Sequence, residues 1–314
     1  MDNPAIFVDA SMRFPWLQEV AREAESASIE SLRAQLGTTV VTNDGFSDLA
    51  NVVANTAGAE TWLKPLVDAN PDDVFAASLF AERMLVVAWD KRSHLRARYL
   101  TQEQITGFRE TLIELEVFLQ TQIARHPTHV SFWNSRITSA KGMGMGLSEV
   151  TRRYRRLEML APDYYEAALR HLSALLPKWY GTLEDALSFC RTKVAAAPIG
   201  SLMPGLIAEY YVSFYEEKTD QETVALLKRP DVHAELVAAG RDSVLVPNHI
   251  PCPETLSIHS NLALLLAKGG WYADAWPHFR ALGPYPVKAG WRLLATPEEG
   301  YRDLFNASQK AGEA

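Results

Sequence analysis

His249, Cys252 and His259 fall within the stretch HIPCPETLSIH, and imidazole and thiolate at short spacing are ligands that zinc favours. A structural zinc site needs four such ligands, however, and the chain contains neither CxxC nor HExxH. Proline on both sides of Cys252 marks a rigid connector more simply than a metal loop. Gly142, Gly144 and Gly146 precede a helical stretch, where backbone N–H groups can hold phosphate. The dinucleotide fingerprint needs a preceding strand and GxGxxG; here the preceding stretch reads as helix and the spacing is GxGxG. GxxxxGK[ST] is absent as well, so the glycines are expected to form an interhelix turn.

Arg152, Arg153, Arg155 and Arg156 make the densest basic cluster. On a helix Arg152 shares a face with both Arg155 and Arg156. An acidic partner or a phosphate would suit that face. The plainer expectation is a solvated surface with Glu149 and Glu158 at hand to pair. Serines stand in helical or loop contexts without a GxSxG elbow, and the carboxylates are scattered. Cys190 lies on an apolar helix face and reads as a small core residue. No catalytic residue, metal or cofactor is assigned.

The elements that must position these residues are helical throughout. The chain has 314 residues, 47% hydrophobic and 22% charged, the balance of a globular protein with a sizeable core. Its net charge of −7 argues against broad binding to nucleic acid or anionic membranes. Two cysteines are too few for a disulfide framework. The opening MDNPAIFVDASMRF has no basic segment leading into an apolar run, and the longest apolar runs are too short to span a bilayer. A cytoplasmic protein is expected.

Phe14 to Leu36 reads as one or two helices, Gly37 to Asp44 as a loop, and Phe46 to Val67 as helix broken near Thr56–Gly58. Asn70-Pro71-Asp72-Asp73 has the residues of a helix start, with Asn70 as cap and Pro71 in the first turn. Thr101-x-x-Gln104 forms a capping box for a helix reaching about Arg125. Helix pairs follow at Thr128–Lys141 with Leu147–Leu160, and at Tyr164–Leu176 with Thr182–Ala196. Met203–Glu217, Thr219–Lys228 and Val232–Gly240 continue the series. A proline-rich connector, Val244–Pro253, leads to a last hairpin, Leu256–Lys268 with Tyr272–Leu282. The tail from Ser308 is small and polar and is expected to fray.

Pro127, Pro162 and Pro198 follow one another at intervals of about 35 residues, near the length of a helix–turn–helix repeat. Within these units a small or turn residue opens the second helix, a small apolar residue comes next, and a larger one follows a turn later. Gly181, Ala186 and Cys190 do this in one unit, and Gly270, Ala275 and Phe279 in the C-terminal hairpin. Stacked helix pairs need that order to approach closely.

These residues resemble the tetratricopeptide (TPR) pattern, and EVTRRYRRLEMLAPDYYEA from Glu149 looks like one repeat running into the next. From about Trp62 to Tyr215 the chain also resembles an uncharacterised bacterial family of TPR-like proteins, a domain of unknown function. The likeness is carried by Pro177, Lys178, Trp179 and Gly181 of an interhelix turn, by Ala88-Trp89, and by the turn at Gly142–Gly146. Tyr180 and Thr182 stand where that family usually has Gly and Ser. The resemblance implies an all-α, right-handed solenoid of TPR-like hairpins with irregular terminal helices, and it carries no known activity.

The expected organisation is a single domain over residues 1–314. Residues 1–61 would cap it, 62–217 would form the central hairpins, and 218–314 the C-terminal helices with one hairpin at 256–282. In such a fold Phe132, Arg136, His171, Lys178 and Asn261 fall on or near the inner face of first helices. They would bind a protein or peptide ligand, with Arg136 offering a two-pronged donor to a carboxylate. Trp179 is expected to wedge hairpins together. The leading expectation is therefore a non-catalytic interaction scaffold with a concave groove. The rival is a helical enzyme or small-molecule sensor with a pocket between central hairpins.

Overall fold

A computed structural model describes residues 7–37, 42–92, 100–283 and 286–313. The loop expected at Gly37–Asp44 lies partly outside the described residues. Among those described, the chain is all-helical, with sixteen α-helices and short 3₁₀ turns. None is long and apolar enough to cross a membrane. The chain divides into two compact units, one of residues 15–181 and one that joins 7–14 to 182–313. The boundary falls at Gly181, in the Pro177–Gly181 turn.

The first unit holds α1 (Pro15–Glu25), α2 (Ile29–Ala34), α3 (Asn43–Asn55), α4 (Ala59–Ala69), α5 (Val74–Arg92), α6 (Gln102–Arg125), α7 (Val130–Gly142), α8 (Leu147–Glu158) and α9 (Tyr165–Leu175). Its centre is α5, whose buried residues point in every direction around the helix, from Phe75 through Leu79 and Phe80 to Ala88. A helix apolar all round must be enclosed, and α3, α4, α6 and α7 enclose it. Ala76, Ala77, Ala81 and Ala88 let those neighbours come close.

The capping box is present: Thr101 Oγ1 accepts the Gln104 N–H at 3.2 Å, and Gln104 Oε1 accepts the Thr101 N–H at 2.9 Å. The start of α5 differs from expectation. Asp73, not Asn70, caps it by accepting the Ala76 N–H at 3.2 Å, and Pro71 lies in the preceding turn. Asn70 Oδ1 turns back onto the Asp72 N–H instead, so its side chain closes the turn and not the helix.

The second unit holds α10 (Leu183–Ala196), α11 (Leu206–Glu217), α12 (Asp220–Leu227), α13 (Pro230–Asp242), α14 (Pro253–Lys268), α15 (Tyr272–Leu282) and α16 (Pro297–Gly312). Here α14 is the enclosed helix, buried almost continuously from Thr255 to Ala267 and packed by α11, α13, α15 and α16. The tail expected to fray from Ser308 is helical through Gly312 and packs on α15. Phe279, Trp291, Tyr301 and Phe305 close that end as an aromatic cluster, with Trp291 and Tyr301 centroids 4.9 Å apart and edge-to-face. Offset and edge-on aromatic pairs of this kind add to the stabilisation from buried area alone.

Candidate functional site

The turn between α7 and α8 uses Gly144 and Gly146 at φ +73° and +83°, a backbone region that costs glycine little. Gly142, at the end of α7, leaves room for Leu112 and Phe108 of α6, which a Cβ would meet at 2.8 and 3.0 Å. The turn therefore performs packing work, as expected for an interhelix connection. It also sets the register of α8, whose buried stripe is Val150, Arg153, Tyr154 and Leu157 and whose opposite face carries Arg152, Arg155 and Arg156.

Arg153 overturns the expectation of four solvated arginines, since it is only 1% exposed. Its guanidinium donates to both oxygens of Glu116 (2.6 and 3.1 Å), to Glu149 Oε1 (2.7 Å) and to the Arg136 carbonyl (2.8 Å). Arg136 Nη2 donates to the same Glu116 at 3.0 Å, and Ser139 Oγ also donates to it. Burial pushes the Glu116 carboxyl up. The donors Arg153 and Ser139, with the charges of Arg153 and Arg136, outweigh that and hold it below the usual range. Position on the apolar stripe, one residue before Tyr154, is the signal in the sequence that separates Arg153 from its neighbours.

Above this network lies an open groove of about 750 Å³ between α7 and α8. Trp133, Leu147 and Met159 give it an apolar floor and Arg152, Arg155 and Arg156 a basic edge. Met159 is 70% exposed. Arg152 is engaged, donating at 2.7 Å to each oxygen of Glu149, whose carboxyl is thereby held down to about 2. Arg155 and Arg156 have no ion pair among the described residues. The Arg156 and Arg136 guanidinium carbons stand 5.9 and 5.7 Å from the Trp133 ring centre, within cation–π range.

The five residues assigned to an inner groove are placed differently from one another. Phe132 is wholly buried with its ring 4.8 Å from His129. Arg136 is committed to Glu116. His171 is buried, stacked 4.4 Å from Tyr154, with Nε2 at 3.0 Å from Thr151 Oγ1. Lys178 is exposed in the turn after α9. Asn261 belongs to the second unit, where it donates to Glu209 Oε1 at 2.8 Å and accepts the Gly290 N–H at 2.9 Å. Four of the five thus lie in the first unit and Asn261 in the second, and Arg136, His171 and Asn261 each meet neighbours within their own unit.

The zinc-like trio behaves similarly. His249 Nε2 and Cys252 Sγ both meet Thr255 Oγ1, at 2.9 and 3.2 Å, while His259 Nδ1 faces His278 Nδ1 at 2.9 Å. Among the described residues no group of three or more His, Cys, Asp or Glu is arranged to hold a metal. A second cleft, about 680 Å³, lies at the N-terminal ends of α3, α5, α7 and α9. Convergent helix starts favour an anion, but the chain supplies its own: Asp44 accepts the N–H groups of Tyr165 and Glu166 at 3.2 and 2.8 Å.

One further group was not singled out by sequence reasoning. Lys141, in the last turn of α7, donates to Ser173 Oγ at 2.9 Å and lies 4.9 Å from the Trp179 ring centre and 6.0 Å from that of Trp89. Trp179 is edge-on to Trp89 at 5.9 Å, so the turn tryptophan does pack onto α5, and it also faces an amine. Burial, then the charges of Arg170 and Lys178, draw Lys141 down to about 8, with Glu166 opposing. The only hint in the sequence is a lysine placed between small residues and the Gly142 turn.

No family model, curated protein or solved structure matches the chain.

Proposed function

We propose that the chain is a cytoplasmic interaction scaffold built from TPR-like hairpins, and that it docks an acidic segment of a partner protein in the α7–α8 groove. The observation that carries this reading is the pairing of an apolar floor, Trp133, Leu147 and the exposed Met159, with Arg155 and Arg156, which no carboxylate neutralises among the described residues. An acidic peptide with apolar side chains complements both parts at once. The helical-repeat part of the reading is supported by the contacts of alternate helices, α3 with α5, α5 with α7 and α7 with α9, beside those of consecutive ones. A reducing compartment agrees with two unpaired cysteines, one of them buried.

The test is a calorimetric titration with a synthetic peptide that alternates glutamate with leucine, against the same peptide carrying lysine for glutamate. Arg155→Glu/Arg156→Glu is expected to weaken the acidic peptide at least tenfold, that is by about 1.4 kcal/mol or more. Added salt should weaken it too. Absence of binding by the wild-type chain, or equal affinity in the double variant, rejects the groove. Tighter binding to a mixed-sequence RNA or DNA oligonucleotide than to the peptide would reassign it to nucleic acid.

A further inference from the structure

Helix α6 packs on α5 and α7 and buries one face, with Phe108, Leu112, Leu115 and Leu119 among its residues. Its opposite face carries Glu110, Ile113, Glu114 and Val117, all exposed, at the i, i+3, i+4, i+7 spacing that lines side chains up along a helix. Ile113 is 51% exposed and Val117 62%. Branched side chains at exposed helix positions add neither packing nor helix propensity. Single apolar side chains on a surface are ordinary, but these two stand one turn apart and beside two acids. Glu110 and Glu114 have no ion pair among the described residues.

That face complements the α7–α8 groove in both of its parts. The groove offers Trp133, Leu147 and Met159 beside Arg155 and Arg156. The helix offers Ile113 and Val117 beside Glu110 and Glu114. Unpaired acids thus answer unpaired guanidinium groups and apolar side chains answer an apolar floor, as when an amphipathic helix lies in a groove. No α6 residue lines the groove of its own copy, so the contact takes a second chain. The helix is already folded and held by α5 and α7, so docking it costs no ordering of the segment.

We propose that the occupant of the α7–α8 groove is a second copy of this chain, seated by the α6 face from Glu110 to Val117. The inference rests on the groove reading above and names its partner. The two surfaces differ, so the contact is head-to-tail. A pair of copies still presents one free groove and one free α6 face, and further copies can add. One helix in one groove makes a small interface, for which dissociation constants of roughly 10–100 μM are expected.

Sedimentation equilibrium of the full chain tests this. In about 50 mM salt the wild-type average mass should rise above that of the monomer between about 5 and 300 μM, and about 0.5 M salt should reverse the rise. Glu110→Lys/Glu114→Lys and Arg155→Glu/Arg156→Glu should each weaken association about tenfold or more. All four positions are exposed, so circular-dichroism melts should stay unchanged. Mixed in equal amounts, the two variants should associate again, because the reversed face of one meets the reversed groove of the other. Mixing repairs no folding defect. A wild-type chain that stays monomeric, association that the α6 reversal leaves unmoved, or a mixture that stays monomeric overturns the proposal. The glutamate–leucine peptide, titrated into the α6 variant, separates the two readings, since the groove of that variant is intact. Peptide binding beside a monomeric wild-type chain rejects the second copy alone; no peptide binding to either chain rejects the groove and this inference with it.

Discussion

The two enclosed helices, α5 and α14, solve the same problem with different chemistry. Each is packed on all sides within its own unit, and each carries polar side chains into the packing. Around α5 the buried polar groups include paired charges beside neutral ones such as Ser78, whose Oγ meets His129 Nε2 at 3.0 Å. Arg83 donates to Glu60 Oε2 at 2.6 Å and to the Ala54 carbonyl at 2.7 Å, and the same unit buries Glu116 between Arg136 and Arg153. Around α14 they are neutral: His259 against His278, Ser260 accepting from Trp291 Nε1 at 2.9 Å, and Asn261 accepting from Gly290. The ion pairs Lys268–Asp220 and Arg191–Glu235 in that unit each leave one member largely exposed. Buried charge stabilises only while every partner is present, whereas buried neutral groups depend on staying neutral.

The largest test of that difference is Glu116→Ala. It would strand Arg153 and Arg136 without their shared acceptor, and breaking a buried pair in this way costs about 3–5 kcal/mol. Hydrogen exchange read unit by unit should show the loss in residues 15–181, with protection in 182–313 little changed. Equal loss in both units would mean that they unfold as one and that the contrast has no energetic content.

Acid should separate the units next. Burial, and then the charges of His249 and Arg13, draw His259 down to about 3. Burial draws His278 well below its usual value, with His259 adding to it. An imidazole takes up a proton near pH 6.5 in the unfolded chain and far lower in the folded one. Stability of the 182–313 unit is therefore full above pH 6.5 and declines toward pH 3. Each imidazole kept neutral accounts for about 2 kcal/mol between pH 6.5 and 5. Glu116, held below the usual carboxylate range, acts in a different window. Its contribution is full above the ordinary carboxylate value near 4.5 and is lost as pH falls through its lowered one. In 15–181 His129, drawn down by burial and then by the charge of His126, acts in the same window, so exchange at pH 5 against pH 7 should weaken 182–313, with its two imidazoles, more. Earlier loss in 15–181 would break the comparison.

Helix ends offer a control, because the two units cap them alike. Thr101 and Thr219 each close a capping box with the residue three positions on. Thr101→Ala and Thr219→Ala should each cost about 1 kcal/mol in their own unit, measured by the same exchange. Matching losses would confine the contrast to buried polar groups.

Much of the fold was legible in these local signals. The box at Thr101, the glycine turn at Gly142–Gly146 and the helices at Tyr272–Leu282 and Thr219–Lys228 all follow from residue type and spacing, because their chemistry is local. Helix α16 was missed although Tyr301, Leu304, Phe305 and Ser308 are helically spaced. Its stripe is narrow, Gly300 stands just before it, and it packs on α15 and Trp291, which no local window contains. The candidate sites were less legible for the same reason. Arg153 and Arg155 differ by two positions and by everything around them, since only the first meets Glu116, thirty-seven residues away in sequence. Lys141 meets Trp89 and Trp179 on other elements, and neither spacing nor composition links the three.

The smallest expected effect on stability is also the sharpest on function. Arg155→Ala/Arg156→Ala removes two exposed guanidinium groups that hold no ion pair, so unfolding free energy should move by no more than about 0.5 kcal/mol. Among the described residues the Arg156 contact with Trp133 is the interaction at stake, and at 5.9 Å it contributes little. Stability carried by paired internal charge and affinity carried by unpaired surface charge should then come apart in one α7–α8 hairpin. Glu116→Ala would unfold it, while the double arginine variant would keep it folded and lose the acidic peptide. Denaturant melts and peptide titrations on the same two variants measure both. A double variant that unfolds like Glu116→Ala would show that the outer arginines are structural and that the groove has no free charge to offer a partner.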